Sequence, residues 1–200
     1  MSDTIRNPRQ QRSIDKKNRI IHAGYELFAE KGYFNTNTAE IAKKAGVSTG
    51  IVYGYFHDKR DILVEVVDIY TEQNYEFIFE LIDGLTAPID FENLLAHIAD
   101  KVVSIHKQNS AIHEALYSMS AYDEIVNSRF MQFELSITEC ICKKLIELGY
   151  NTEDLTERVH MAMELVQSYA HECVYDKHKY INYDRMRTLI IKSLTDIFKF

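Results

Sequence analysis

Between Thr38 and Lys59 the chain gathers side chains suited to holding a phosphate or reading a base edge. These are the hydroxyls of Thr38, Ser48, Thr49, Tyr53 and Tyr55, the ammonium of Lys59, and Gly50, which opens the backbone to close approach. A tyrosine hydroxyl on its rigid ring donates to phosphate oxygens and fixes register without carrying sequence information. Thr49 suits a base edge or a thymine methyl, and Ser48, Gly50 and Ile51 complete the reading end. Lys59 stands where a helix begins, so its charge should add to the N–H groups free there, and Thr38 at the front of an earlier helix should act likewise. Other chemistry finds little support. Glu157 and His160 make one Glu-x-x-His, but a helical di-iron site needs a second pair and two more glutamates. Cys140 and Cys142 are two apart on a predicted helix and point to different faces, so buried thiols are expected rather than a metal pair. With no nucleophile motif, glycine-rich phosphate loop or HExxH, the sequence predicts no enzyme, no cofactor and no metal.

The elements that must position these groups are short and punctuated. Thr38 reads as an N-cap with Glu40 in the first turn, and Ile41, Ala42 and Ala45 give an apolar stripe at helical spacing. Gly46 ends that helix, Val47 fills the angle, and Ser48 caps a second helix predicted over Thr49–Phe56. Helix, glycine turn and second helix make the layout of a helix-turn-helix. A first helix over Ser13–Lys31, ended by Gly32, should brace it, with Tyr33 and Phe34 plugging the small core.

Residues 20–59 resemble the tetracycline-repressor (TetR) family of bacterial transcription regulators. The resemblance is carried, in order, by Ile20–Ala23, Leu27-Phe28-Ala29, Lys31-Gly32-Tyr33-Phe34, Ile41-Ala42, Ala45-Gly46-Val47-Ser48, Tyr53-Gly54-Tyr55-Phe56 and Lys59. It implies DNA contacts at Thr38, Ser48, Thr49, Gly50, Tyr53, Tyr55 and Lys59, a body that encloses a small-molecule effector, and a homodimer. One departure stands out: the second helix has no Arg, Lys, Asn or Gln for bidentate base contacts. Specificity then leans on methyl contacts, water and DNA shape.

Charge is divided in the same sense. The chain is −7 overall, yet residues 1–60 hold eleven Lys and Arg against six acids, leaving twelve bases and twenty-four acids in the rest. A basic head on an acidic body suits a DNA reader joined to a domain that does not touch DNA. Residues 1–12, with Arg6, Arg9 and Arg12, read as a flexible arm, either reaching a phosphate or the minor groove or left as a disordered tail. Lys16, Lys17 and Arg19 read either as phosphate contacts or as a solvated face. No apolar run approaches a membrane span and no secretory h-region occurs, so a cytoplasmic protein without membrane contact is expected.

With two prolines, seven glycines and long helical periodicity, the fold class is all-α. We expect an N-terminal three-helix helix-turn-helix DNA-binding domain (1–64) joined by a long helix, Asp58–Leu85, to a helical effector-binding and dimerisation domain (65–200). Body helices are predicted near 90–108, 110–120, 123–148, 154–178 and 183–199. Phe130, Phe133, Ile137, Ile141, Leu145 and Leu148 form an inward stripe. Soft and aromatic walls adapt to apolar ligands, which nominates Tyr117, Phe130, Phe133, Met161 and Tyr169, with ordinary core packing as the alternative for each. His113, Glu114, Tyr117, Glu134 and Gln167 are polar candidates to orient a ligand.

Met186, Ile190, Ser193, Ile197 and Phe200 step in a heptad-like seam, widened by Leu189, Leu194 and Phe198. With Leu155, Ala162, Val166, Tyr169 and Cys173, the last two helices of two chains would form a four-helix bundle. The functional expectation is a repressor on palindromic double-stranded operator DNA, released by an apolar or amphipathic effector whose identity the sequence does not disclose. Two rivals stand beside it: a helical ligand-binding protein that does not use its helix-turn-helix on DNA, and an inducer-free architectural DNA binder.

Overall fold

The structure, a computed structural model, describes residues 8–199, the side chains from Gln11 onward. Its described residues form helices and no strand, in the order α1 (Pro8–Lys31), α2 (Thr38–Ala45), α3 (Thr49–Tyr53), α4 (Lys59–Asp83), α5 (Phe91–Gln108), α6 (Ser110–Ser120), α7 (Glu124–Glu147), α8 (Leu155–Val174) and α9 (Tyr183–Ile197). The all-α expectation is met.

Packing divides the chain into two units. One comprises the described residues up to Tyr70 together with Ala111–Phe130, and the other Thr71–Ser110 with the described residues from Met131 on. The sequence places the boundary near Val64 to Tyr70 inside the long helix, with the cut at 64/65; packing changes after Tyr70, inside α4, and also gives α6 and the start of α7 to the first unit.

Helix α1 begins at Pro8, five residues before the expected start at Ser13. Proline at a first helical position loses nothing, since that N–H would have no partner in the helix. Arg12 therefore lies in a helix and is exposed, while Arg6 and the side chain of Arg9 lie outside the described residues. Ser13 is no cap; its hydroxyl meets that of Tyr55. Ile20 and Phe28 of α1, Ile41 of α2, Val52 of α3 and Ile62, Leu63 and Val66 of α4 are fully buried and make the core of the first unit. Gly24 permits the closest approach, since a Cβ there would stand 2.6 Å from Ile62 Cγ2.

In the second unit α5 packs on α8 and α9, and α8 on α9. Its centre holds Ala99, Val159, Ala170 and Leu194. Asp90 and Asn182 cap α5 and α9 by accepting from the N–H groups of Asn93 and Arg185. Among the described residues no helix is long and apolar enough to cross a membrane.

Candidate nucleic-acid interface and body cavity

Helix α2 is closed at both ends by its own sequence. Asn37, not Thr38, is the N-cap: its side chain accepts from Glu40 N–H, and the Glu40 carboxylate accepts from Asn37 N–H. This reciprocal capping box makes Thr38 the first helical residue. At the other end Gly46 has φ of 67°, and the N–H groups of Gly46 and Val47 return to the carbonyls of Lys43 and Ala42. Only a residue without a Cβ takes that turn freely, and it sets the angle from α2 to α3.

Helix α3 is one turn and a half, ending at Tyr53 rather than Phe56. Ser48 is its N-cap by position, but its hydroxyl makes no capping bond; the backbone carbonyl accepts from Ile51 N–H instead. Ser48 and Gly50 are exposed, Thr49 is half-buried, and Tyr53 is 58 % exposed. A Cβ on Gly50 would meet only Ser48 Oγ, at 4.0 Å, so nothing within the fold requires glycine there. Val52 and Phe56 face inward and hold α3 on the core.

The other expected contact residues are engaged within the first unit. Tyr55 Oη lies 2.9 Å from Ser13 Oγ, which fixes the ring against α1 and uses one of the hydroxyl's two hydrogen-bonding roles. Thr38 is half-buried at the start of α2. Lys59 donates to the carbonyls of Tyr33 and Thr36, both at 2.7 Å, with its ammonium 4.2 Å from the centre of the Tyr33 ring. Burial holds its pKa below the usual lysine value. The helix N-terminus beside it is also occupied, because the Asp58 carboxylate accepts from the N–H groups of Arg60 and Asp61. A carboxylate there opposes a phosphate, so the expected pairing of Lys59 with free N–H groups does not arise in this geometry.

Around this core Lys17 pairs with Glu65 at 2.7 Å, Lys31 with Glu40 at 3.0 Å and Lys44 with Glu26 at 2.9 Å. Phe34, expected in the core, is 73 % exposed. The buried residue of this loop is Thr36, whose single hydroxyl proton lies toward the Gly32 carbonyl at 2.9 Å, with the Leu27 carbonyl at 3.3 Å.

The second unit holds an apolar cavity of about 80 Å³ that opens at one side. Tyr75, Ile78 and Ile82 of α4 form one wall, and Leu95, Ile98 and Val102 of α5 another. Ile137, Ile141 and Leu145 of α7 face Val159, Ala162, Val166 and Gln167 of α8, and Phe198 closes one side. None of Tyr117, Phe130, Phe133, Met161 and Tyr169 lines it. Tyr117 and Met161 are each 58 % exposed, Tyr117 and Phe130 belong to the first unit, and Tyr169 is buried in packing. Phe133 comes nearest, its ring 5.6 Å from that of Tyr75.

The wall is mostly aliphatic, with Tyr75, Phe91, Met163 and Phe198 among its members, and three of its residues, Ile137, Ile141 and Leu145, belong to the α7 stripe. Of the polar candidates, Gln167 reaches the cavity, whereas His113 Nδ1 is satisfied by the Tyr70 hydroxyl at 2.9 Å. Behind Gln167 lies His106, its Nε2 3.1 Å from Gln167 Oε1 and 3.4 Å from the Tyr75 hydroxyl. Burial pushes the His106 pKa down to about 4.

On α8 and α9, Leu155, Ala162, Val166, Tyr169, Leu194 and Phe198 are buried within this chain and so are not available to a second copy. The reason is geometric: these residues share one helix face, which α5, α8 and α9 use on each other. Met161 and Leu189 remain exposed, with Met186, Ile190 and Ile197 half-buried beside them; Phe200 lies outside the described residues. Among the described residues no group of three or more His, Cys, Asp or Glu is placed to hold a metal ion.

Comparison with known proteins agrees with this architecture. Residues 20–66 match the family model described as bacterial regulatory proteins, tetR family. The chain is 41 % identical over 80 residues to the HTH-type transcriptional regulator HbdR of Aromatoleum sp. (strain CIB), a match covering 38 % of this chain and 33 % of that protein. It is 34 % identical over 86 residues to the fatty acid metabolism regulator protein of Bacillus subtilis, covering 43 % of each. The chain thus spans about a third to two-fifths of these curated relatives. The solved structure of Salmonella enterica GusR shares the fold, with a TM-score of 0.71, 14 % identity and coverage of 99 % of this chain and 100 % of that one. A matched helix-turn-helix segment, on an all-helical body that shares the fold of a solved structure, makes the chain similar to the TetR family of bacterial regulatory proteins.

Proposed function

We propose that the protein is a cytoplasmic, homodimeric repressor whose two α3 helices enter successive major grooves of an inverted-repeat operator. The observation that carries this reading is the outward face of the α2–α3 pair. Ser48, Gly50 and Tyr53 stand open while Ile41, Ala42, Ala45 and Val52 bind the pair to the core. Tyr53 would hold a phosphate, and Ser48, Thr49 and Gly50 would lie against base edges. Tyr55 and Lys59 would act mainly by fixing α3 and the loop before α2, each with one hydrogen-bonding capacity left for a phosphate. The exposed apolar side chains of Met161 on α8 and Leu189 on α9 support a second copy packing on these helices.

The cavity supports release by a small apolar or amphipathic molecule. Helix α4 carries Ile62 and Leu63 of the reading unit's core and Ile78 and Ile82 of the cavity wall. An occupant that favours one position of this rod changes the spacing of two heads in a dimer, and so favours a state with lower DNA affinity.

Selection from a pool of random duplexes tests the reading. Recovery of an inverted repeat, with affinity falling steeply as salt rises, is the expected result. Unselective retention would favour an architectural DNA binder, and no retention a ligand-binding protein that leaves DNA alone. On the recovered site, Thr49→Ala should change base preference.

A further inference from the structure

Every residue lining the cavity is apolar except Gln167 and the tyrosine Tyr75, and none is charged. A carboxylate or ammonium carried inside would lose its hydration and find no counter-charge, which strongly disfavours it. Gln167 is the one amide on the wall, and its orientation is set from behind. Its Oε1 faces Nε2 of His106 at 3.1 Å, and since an amide oxygen only accepts, Nε2 must donate. His106 is 1 % exposed, and its low pKa keeps the ring neutral at pH 7, so no cationic imidazolium stands there to draw an anion. With the oxygen committed, the amide nitrogen is the end left over, and it donates no hydrogen bond among the described residues. The wall thus offers the Gln167 amide N–H as a hydrogen-bond donor and carries no cation.

We infer that this cavity takes an uncharged, mainly hydrocarbon molecule whose single polar group is a hydrogen-bond acceptor, such as a ketone or ester carbonyl, held by the side-chain amide of Gln167. This deepens the effector reading above and rests on it for biological meaning. The chemistry itself is tested without DNA, by titrating the 200-residue chain in a calorimeter with 2-octanone, octanoate and octylammonium. The ketone is expected to bind at least about ten-fold more tightly than either ion. In Gln167→Leu its affinity should fall about three- to ten-fold, the worth of one hydrogen bond.

Should that variant melt without cooperativity, Gln167→Glu, which keeps the shape and replaces the donor by an acceptor, gives the same comparison. An ion binding as tightly as the ketone, no binding by any of the three, or a ketone affinity indifferent to both variants would overturn the inference. Because the titration contains no DNA, a failed duplex selection leaves its outcome standing, and a failed titration leaves the DNA reading standing.

Discussion

The Ser13 and Tyr55 hydroxyls meet at 2.9 Å across 42 residues of sequence, tying the turn after α3 to the brace helix α1. Tyr53, two residues earlier, points away from the core and is 58 % exposed. Two tyrosines with the same chemistry are thereby given different surroundings, one holding α3 and the other presented by it.

This division predicts opposite effects of the same substitution. Tyr55→Phe and Ser13→Ala should each lower stability by about 0.5–1.5 kcal/mol, the usual net worth of one such hydrogen bond. Tyr53→Phe should leave the urea melt unchanged and weaken duplex binding to all sequences alike. A Tyr53→Phe variant that binds duplexes as the parent does would remove Tyr53 from the interface.

Gly24 and Gly50 sit in helices at ordinary helical angles, and their surroundings separate them. Gly24→Ala would drive a methyl against Ile62 Cγ2 and should destabilise the chain by about 1–3 kcal/mol. Gly50→Ala meets open space, so stability should hold or rise by up to about 1 kcal/mol, as helix propensity dictates. Duplex binding should fall nonetheless, since the added methyl stands where a base edge would approach. Thermal melts beside duplex titrations of both variants check this; a Gly50→Ala protein with full affinity would show that no close approach occurs there.

The reading head was legible in the sequence because its signals are local. An apolar stripe, a glycine that must turn left-handed and small residues at a helix start mark α2, Gly46 and α3 within ten residues of one another. The start of α1 was not legible, since the polar run after Pro8 has no periodicity to reveal a helix. Nor were the partners of Lys59, two backbone carbonyls 26 and 23 residues away that no side-chain pattern announces. The cavity was half legible. The stripe of Ile137, Ile141 and Leu145 was visible, but aliphatic residues facing an empty space and aliphatic residues facing a core follow the same period. Only the packing of four helices distinguishes them.

Lys59 gives the third prediction. With its ammonium donating to the carbonyls of Tyr33 and Thr36, Lys59→Met should leave both without that donor and lower stability by about 1–3 kcal/mol. The urea midpoint is the measurement. An unchanged midpoint, together with a salt dependence of duplex binding reduced by about one phosphate contact, would instead make Lys59 a DNA ligand first.

His106 sets a pH dependence whose sign follows from its burial. Its folded pKa is about 4 against 6.5 when unconstrained, so between these values the unfolded chain binds the proton that the folded one refuses. Stability from this group is therefore complete above about pH 6.5, falls as the pH drops toward 4, and levels off below. The whole swing is on the order of 3 kcal/mol for a shift of this size. His106→Gln cannot take up the proton, so its stability should change less than the parent's between pH 7.5 and pH 4.5, even if it starts lower. Urea midpoints of the two proteins at both pH values decide the matter. Parallel losses would mean that His106 keeps access to a proton in the folded chain, and the neutral partner assigned to Gln167 would have to be redrawn.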